Sequence, residues 1–235
     1  MARMTPNRAV LTASSITAAA LAVAAGMGSN AHGDAGQAEI IPVTHAESVE
    51  ETVFKVDPLH STVLFRIRHG GHGFFWGRFN KGDGEFFIDE ENPSNSFFRA
   101  QTDVTSVDTT DEDTIDDEEY KNRRDGHIMA ADFLTARQFP TATFESTSFS
   151  PTDEENIYEL KGEFTLVGVT KPVTARVEYG GTGSFQRKVI QGFEATFEFK
   201  RSDFGLTTYL APDGGEGGGL GNKVRMVIGV EGIKQ

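Results

Sequence analysis

The stretch VIQGFEATFEFK, residues 189–200, alternates apolar and polar side chains. Val189, Phe193, Ala195, Phe197 and Phe199 oppose Glu194, Thr196, Glu198 and Lys200. Successive side chains reach opposite faces only in an extended strand, so this is a strand with one dry face and one wet face. The same rhythm continues in both directions. Val63, Phe65 and Ile67 oppose Arg66 and Arg68; Tyr158, Leu160, Phe164 and Leu166 oppose Glu159, Lys161, Glu163 and Thr165. Val173, Ala175 and Val177 oppose Thr174, Arg176 and Glu178, and Val224, Met226, Ile228 and Val230 oppose Lys223, Arg225 and Glu231. Further strands are expected at 79–88, 97–107 and 142–149. About eight antiparallel strands in one unit make an all-β sandwich or a closed barrel. An eight-stranded barrel either fills its interior or holds one small ligand.

One segment departs from this period. Residues 111–140 place acids first and bases later, which suits a helix capped by Asp113 or Thr114 and ending near Lys121, Arg123 and Arg124. Gly126 is expected to interrupt it, with a second short helix from about Ile128 to Arg137 ending before Pro140. Ile128, Phe133 and Leu134 would face the barrel.

The first residues read as a targeting segment. Arg3 and Arg8 precede an Ala-rich apolar run at 9–25, and Ser29 and Ala31 stand where a signal peptidase requires small residues. Residues 1–31 are therefore expected to be a signal peptide and the protein exported, periplasmic or extracellular, with an uncleaved N-terminal anchor as the rival reading. Cleavage after Ala31 would take the formal charge from −13 to −15. Residues 32–51, with five acids and no base, read as a flexible acidic linker, and the β domain spans 52–235.

Composition narrows the function. Among 235 residues there is no cysteine, which excludes disulfides, thiolate metal sites and cysteine nucleophiles. The formal charge of −13 argues against a general nucleic-acid or anionic-membrane binder, which needs basic surface. Nineteen phenylalanines stand against one tryptophan and four tyrosines, giving apolar area without polar atoms to satisfy. The acidic run 108–119 has no register with an EF-hand glycine, and the glycine-rich stretch 214–221 lacks a phosphate-loop context. They read as a solvated loop and a mobile hairpin connection. His69 and His72 could ligate a metal, but flanking glycines leave them unfixed and no second pair is visible. A general base could be assembled from His127 with Asp125 or Asp132, and Ser61 beside His60 offers a hydroxyl. Strand neighbours point to opposite faces, however, and no strained nucleophile turn is present. His60, His69 and His127 therefore read first as structural ties.

The blocks FKVDPLHSTVLFRIRH (54–69), GRF (77–79), SVDT (106–109), RDGHIMAADFLTARQFPTATFES (124–146), LKGEFTLVGVTKPV (160–173) and RSDFGL (201–206) resemble the YceI-like family of bacterial exported proteins. Their order is the family's. The departures are an aromatic GHGFFW before GRF, Ile128 for the usual leucine and Leu134 for a second phenylalanine. The resemblance implies an extended lipocalin-like antiparallel barrel with a short helical insertion. It also implies an apolar pocket for a polyisoprenoid lipid, such as a prenyl lipid or the tail of an isoprenoid quinone. It implies no catalysis, metal or cofactor. Transient membrane contact for lipid exchange accords with such a role, and a dimer is left open.

The residues expected to line that pocket are Phe65, Ile67, Phe79, Phe144, Phe164, Leu166, Phe197 and Phe199. Phe133 comes from the helical insertion. Phe74, Phe75 and Trp76, read as part of the connection between two barrel strands, are expected as a cluster at the pocket mouth or as a plug. The competing readings are a histidine-dependent hydrolase or metal-dependent enzyme of the cell envelope, and a purely structural exported module.

Overall fold

The computed structural model describes residues 53–109 and 118–235, with backbone alone over 118–122. The expected leader, the linker and the helix cap at Asp113 or Thr114 lie outside the described residues, as does most of the acidic run.

Among the described residues the strands are β1 (Phe54–Val56), β2 (Thr62–His69), β3 (Gly73–Phe79), β4 (Gly82–Phe87), β5 (Phe97–Asp103), β6 (Val107–Asp108), β7 (Thr141–Pro151), β8 (Ile157–Leu166), β9 (Val169–Phe185), β10 (Lys188–Lys200) and β11 (Leu220–Lys234). Eight of them close an antiparallel ring in the order β1-β4-β5-β7-β8-β9-β10-β11, with β1 returning to β11. The remaining three, β2, β3 and β6, branch from β11 as a flap. The long β11 serves both neighbours: residues from Leu220 to Gly229 pair with β2, and Gly232–Lys234 pair with β1. β3 and β4 are consecutive but do not pair, so the wall parts between them.

The chain turns from β1 to β2 through DPLHS, residues 57–61. Glu231 holds this corner. Its carbonyl accepts from the Asp57 N–H at 2.8 Å and the Ser61 hydroxyl at 3.3 Å, and its own N–H donates to Ser61 Oγ at 3.1 Å.

Among the described residues three register shifts bend the period-two pattern, one of them in β11 between Leu220 and Val224. In β7 the register shifts between Ser146 and Ser148, which lets both Phe144 and Phe149 face inward. In the β9–β10 pair, Gly192 opposes Gly181 while Phe193 opposes Tyr179, leaving Gly180 as the extra residue. The β9–β10 hairpin then extends beyond the packed interior. Val189, expected on the dry face, is consequently 38% exposed.

The helical insertion also differs from expectation. A single helix, α1 (Glu118–Ile128), runs through Gly126 without interruption. The second helix does not form. Residues after it are held by short-range turns, including Phe133 N–H to Ala130 and Gln138 N–H to Thr135, with Thr135 at φ 47°. Phe139 from this segment covers the β8–β9 turn. That turn is Val167-Gly168, both left-handed at φ 51° and 73°, as a two-residue hairpin of this kind requires. A side chain on Gly168 would place its Cβ 2.5 Å from the Phe139 ring, so the turn and the ring demand glycine together.

Candidate functional site: a half-filled barrel

The inward faces carry large side chains at one level and small ones at the next. At one end Phe54, Phe86, Phe98, Phe149 and Phe193 form a continuous aromatic layer. Phe193 meets Phe86 and Phe98 edge-on, with centroids 5.0 and 5.3 Å away. Phe149 stacks on Tyr158 at 4.6 Å. This end is solid core.

A buried polar knot closes it. Gln191 Oε1 accepts from the Ile88 N–H at 3.2 Å, and its Nε2 donates to the Ile88 carbonyl at 3.1 Å. That amide nitrogen also lies 3.0 Å from the Tyr179 hydroxyl, which donates to Glu90 at 2.6 Å. Burial, with the Glu90 carboxylate beside it, pushes the Tyr179 phenol up to about 12. A raised phenol stabilises the fold fully below the ordinary tyrosine value and loses that contribution as pH rises towards the raised one. Unfolding in urea at alkaline pH should therefore show a loss of about 3 kcal/mol between roughly pH 10 and 12. Tyr179→Phe should lack this part of the slope.

Further along the same strands the aromatic level gives way to alanine. Phe98 is followed inward by Ala100, Phe193 by Ala195, and Tyr179 and Val177 by Ala175; Ala142 stands on β7. The space these small residues leave is a cavity of about 720 Å³. Barrels taper and fill with alternating small and large residues; here small residues from four strands line one space.

Phe65, Ile67, Phe79, Phe144, Phe164, Leu166, Phe197 and Phe199 all line this cavity, as do Phe75 and Phe133. Phe164 anchors one wall, packing on Phe197 and Phe199 at 5.4 Å each. On the opposite wall the Phe65 ring lies over Gly77, where a Cβ would sit 2.3 Å from it. The glycine of GRF lets that ring lie against the wall.

Phe74 and Trp76, expected with Phe75 among the ligand-binding residues, do not line the cavity. The β2–β3 connection is only residues 70–72, and the aromatic run already belongs to β3. Strand alternation therefore applies: Phe75 faces the cavity, while Phe74 and Trp76 face outward at 52% and 48% exposure. Arg66 stacks its guanidinium 4.3 Å from the Phe74 centroid.

The mouth is built by α1 and the segment leading into β11. Arg124, His127, Ile128, Phe133, Leu134 and Tyr209 line it. Arg124 stacks on Phe75 at 4.9 Å and donates through Nε to Thr109 Oγ1 at 2.7 Å. Asp125 accepts from the same hydroxyl. The RD pair thus ties α1 to the end of β6. His127 bonds Asp132 at 2.9 Å, which holds the Asp132 carboxyl below its usual range, and meets Phe133 edge-on at 4.9 Å.

The stretch 214–221, expected as a mobile hairpin connection, belongs to a segment from 206 to 221 that is tied down by hydrogen bonds. Arg201, only 5% exposed, donates to four of its carbonyls: Gly221 at 2.9 Å, and Leu206, Thr208 and Leu220 at 3.2 Å. Asn222 reaches Gly214 at 2.9 Å, and Glu216 accepts from the Lys223 N–H at 2.8 Å. The sequence reading missed both Arg201 and the alanines. An arginine inside the RSDFGL block, flanked by a loop without other partners, was the available signal.

The histidines divide. His60 ties to Asp57 at 2.9 Å, and that hydrogen bond raises the imidazole above its ordinary value. His69 is not a tie: it lines the cavity beside Phe75, its side chain making no hydrogen bond among the described residues. Asp57, His60 and Glu231 form the one group of three metal-capable side chains among the described residues, and His69 and His72 do not belong to it. Ser61 is committed to the Glu231 backbone and Asp125 to Thr109, so neither completes a nucleophile-base pair.

Comparison with known proteins decides the family. A description of the YceI-like domain matches residues 54–232. The chain belongs to the YceI-like family. Protein YceI of Salmonella arizonae is 37% identical over 185 residues, covering 77% of this chain and 87% of the relative. A UPF0312 protein of Pseudomonas paraeruginosa is 36% identical over the same length. Among solved structures, Burkholderia cenocepacia BcnA covers 75% of this chain and 98% of its own, with a TM-score of 0.61 at 20% identity. A polyisoprenoid binding domain from Saccharophagus degradans covers 78% and 99%, with a TM-score of 0.54 at 13% identity. These neighbours share the fold of this YceI-like barrel. Among its described residues no helix is long and apolar enough to cross a membrane.

Proposed function

We propose that this YceI-like protein is an exported, non-catalytic carrier that holds a polyisoprenoid-type lipid, a prenyl lipid or the tail of an isoprenoid quinone, inside its barrel. The observation that carries this reading is the apolar cavity of about 720 Å³ above a solid aromatic floor. Its size suits a small-molecule site. A prenyl chain is almost wholly apolar, and burial gains about 0.8 kcal/mol per methylene-sized group, hence roughly 4 kcal/mol per isoprene unit. Such a ligand needs few polar contacts. The wall provides mainly phenylalanine, alanine and aliphatic side chains, with Arg124, His127 and Tyr209 at the mouth for a polar head. The Saccharophagus degradans neighbour, described as polyisoprenoid binding, supports the same class of ligand.

Extraction of the purified protein with organic solvent, followed by mass spectrometry, tests the reading. A prenyl lipid or isoprenoid quinone in near-stoichiometric amount is the expected result. Protein that carries none, and takes up none when offered an isoprenoid quinone, would overturn it.

A further inference from the structure

The wet face of the flap carries an unusual surface for so acidic a chain. Arg225 on β11, Arg66 on β2 and Trp76 on β3 form one cross-strand row that ends on β10 at Glu198, and Arg68 with Phe74 forms the next along β2–β3. Arg66 and Arg225, directly opposite one another, repel, an effect that Glu198 on the far side of Arg225 offsets only in part because it pairs with Lys223. Arg66, Arg68 and Arg225 have no carboxylate within ion-pair distance among the described residues. By contrast Arg78 reaches Asp108 and Lys223 reaches Glu198. Two of the guanidinia lie over exposed aromatic rings, Arg66 at 4.3 Å from Phe74 and 5.8 Å from Trp76, and Arg68 at 4.9 Å from Phe74; Arg68 also donates to the Gly71 carbonyl at 3.1 Å.

This surface lies beside the cavity mouth. Phe75, between Phe74 and Trp76, lines the cavity, and so does His69 at the end of β2. The turn between the two strands is bonded to the mouth segment through the Gly70 N–H and the Gly219 carbonyl at 2.9 Å.

We propose that the outer face of β2–β3, with Arg66, Arg68, Arg225, Phe74 and Trp76, docks the protein on an anionic lipid bilayer. Tryptophan and other amphipathic rings settle at the headgroup level, and arginine beside them meets lipid phosphate. Charge complementarity selects this occupant. The formal charge of −13 repels an anionic surface at long range, but salt screens it beyond about 10 Å, leaving the local cations to act at contact. Docking by this face brings the mouth to the membrane, where an apolar ligand can leave or enter without crossing water. The proposal rests on the lipid-carrier reading for its purpose but not for its test.

Trp76 is the sole tryptophan of the chain, so its fluorescence reports on this face alone. Vesicles of phosphatidylglycerol should shift its emission to shorter wavelength and carry the protein in flotation, with an effect that fades as salt rises. Vesicles of phosphatidylcholine should do neither. Arg66→Gln with Arg68→Gln, which keeps the tryptophan and the packed inner face, should bind phosphatidylglycerol about thirtyfold more weakly. Absence of a shift on phosphatidylglycerol, or equal binding by the double variant, would overturn the proposal. A blue shift that grows with protein concentration before vesicles are added would also overturn it, showing that a second copy covers the face. Docking by protein that yields no prenyl lipid on extraction would sink the carrier reading alone; a loaded protein that does not dock would sink this one alone.

Discussion

Ala195→Trp should yield a folded protein that carries at least about a hundredfold less prenyl lipid than the wild type. Ala195 faces the cavity between Val177 on β9 and Ile228 on β11. An indole there takes the space of about two isoprene units, worth roughly 8 kcal/mol of burial. Losing even a third of that gain accounts for the hundredfold. The new ring enters empty space, so the strain of overpacking a filled core is largely avoided. Thr196→Trp is the control. The neighbouring side chain points outward, so the same ring should leave lipid content unchanged. Mass spectrometry of solvent extracts, with circular dichroism to confirm the fold, reads both. Full lipid loading of Ala195→Trp would show that the ligand does not occupy this cavity.

Arg201→Leu should be the most damaging single change to stability, at about 4 kcal/mol. The guanidinium spans four carbonyls, through two buried and two part-buried bonds, and leucine removes all four donors at once. Burial already pushes its pKa down from the ordinary arginine value, yet a guanidinium stays charged at neutral pH. For a domain of this size the loss corresponds to a fall in Tm of roughly 10 °C, measurable by calorimetry. Arg201→Lys should recover little, because one ammonium cannot reproduce the planar fork. Thr174→Ala, on the exposed face of β9, should move stability by no more than about 0.5 kcal/mol. Because Arg201 also fixes the segment bearing Tyr209, the variant should lose lipid faster even where it remains folded.

Much of the barrel was legible because alternation is a local property. The side chains of Phe65, Ile67, Phe164, Leu166, Phe197 and Phe199 point inward because the backbone is extended, and a strand has only two faces. The family blocks extended that reading to the helical insertion, and Ile128, Phe133 and Leu134 do line the cavity. Reading failed where a residue's direction depends on its partner strand. A bulge in β7 turns Phe149 inward, and beyond the β9–β10 bulge Val189 meets solvent. Phe74 and Trp76 were misplaced for a simpler reason: the glycines before them suggested a longer turn than Gly70–His72, hiding the alternation already running through β3.

From the sequence alone came the all-β class, the approximate strand count, the inward faces and the family. Each follows from period, composition or motif, which one chain displays without reference to its own folded neighbours. The tertiary structure decided where the interior is full and where it is empty. Phenylalanines line both halves, so their abundance could not locate a cavity. Its position depends on the register that brings Ala100, Ala142, Ala175 and Ala195 to its wall while Phe86, Phe98, Phe149 and Phe193 pack against one another at the filled end. Register is a relation between strands distant in sequence, and a void is an absence of side chains in a space that only the closed barrel encloses.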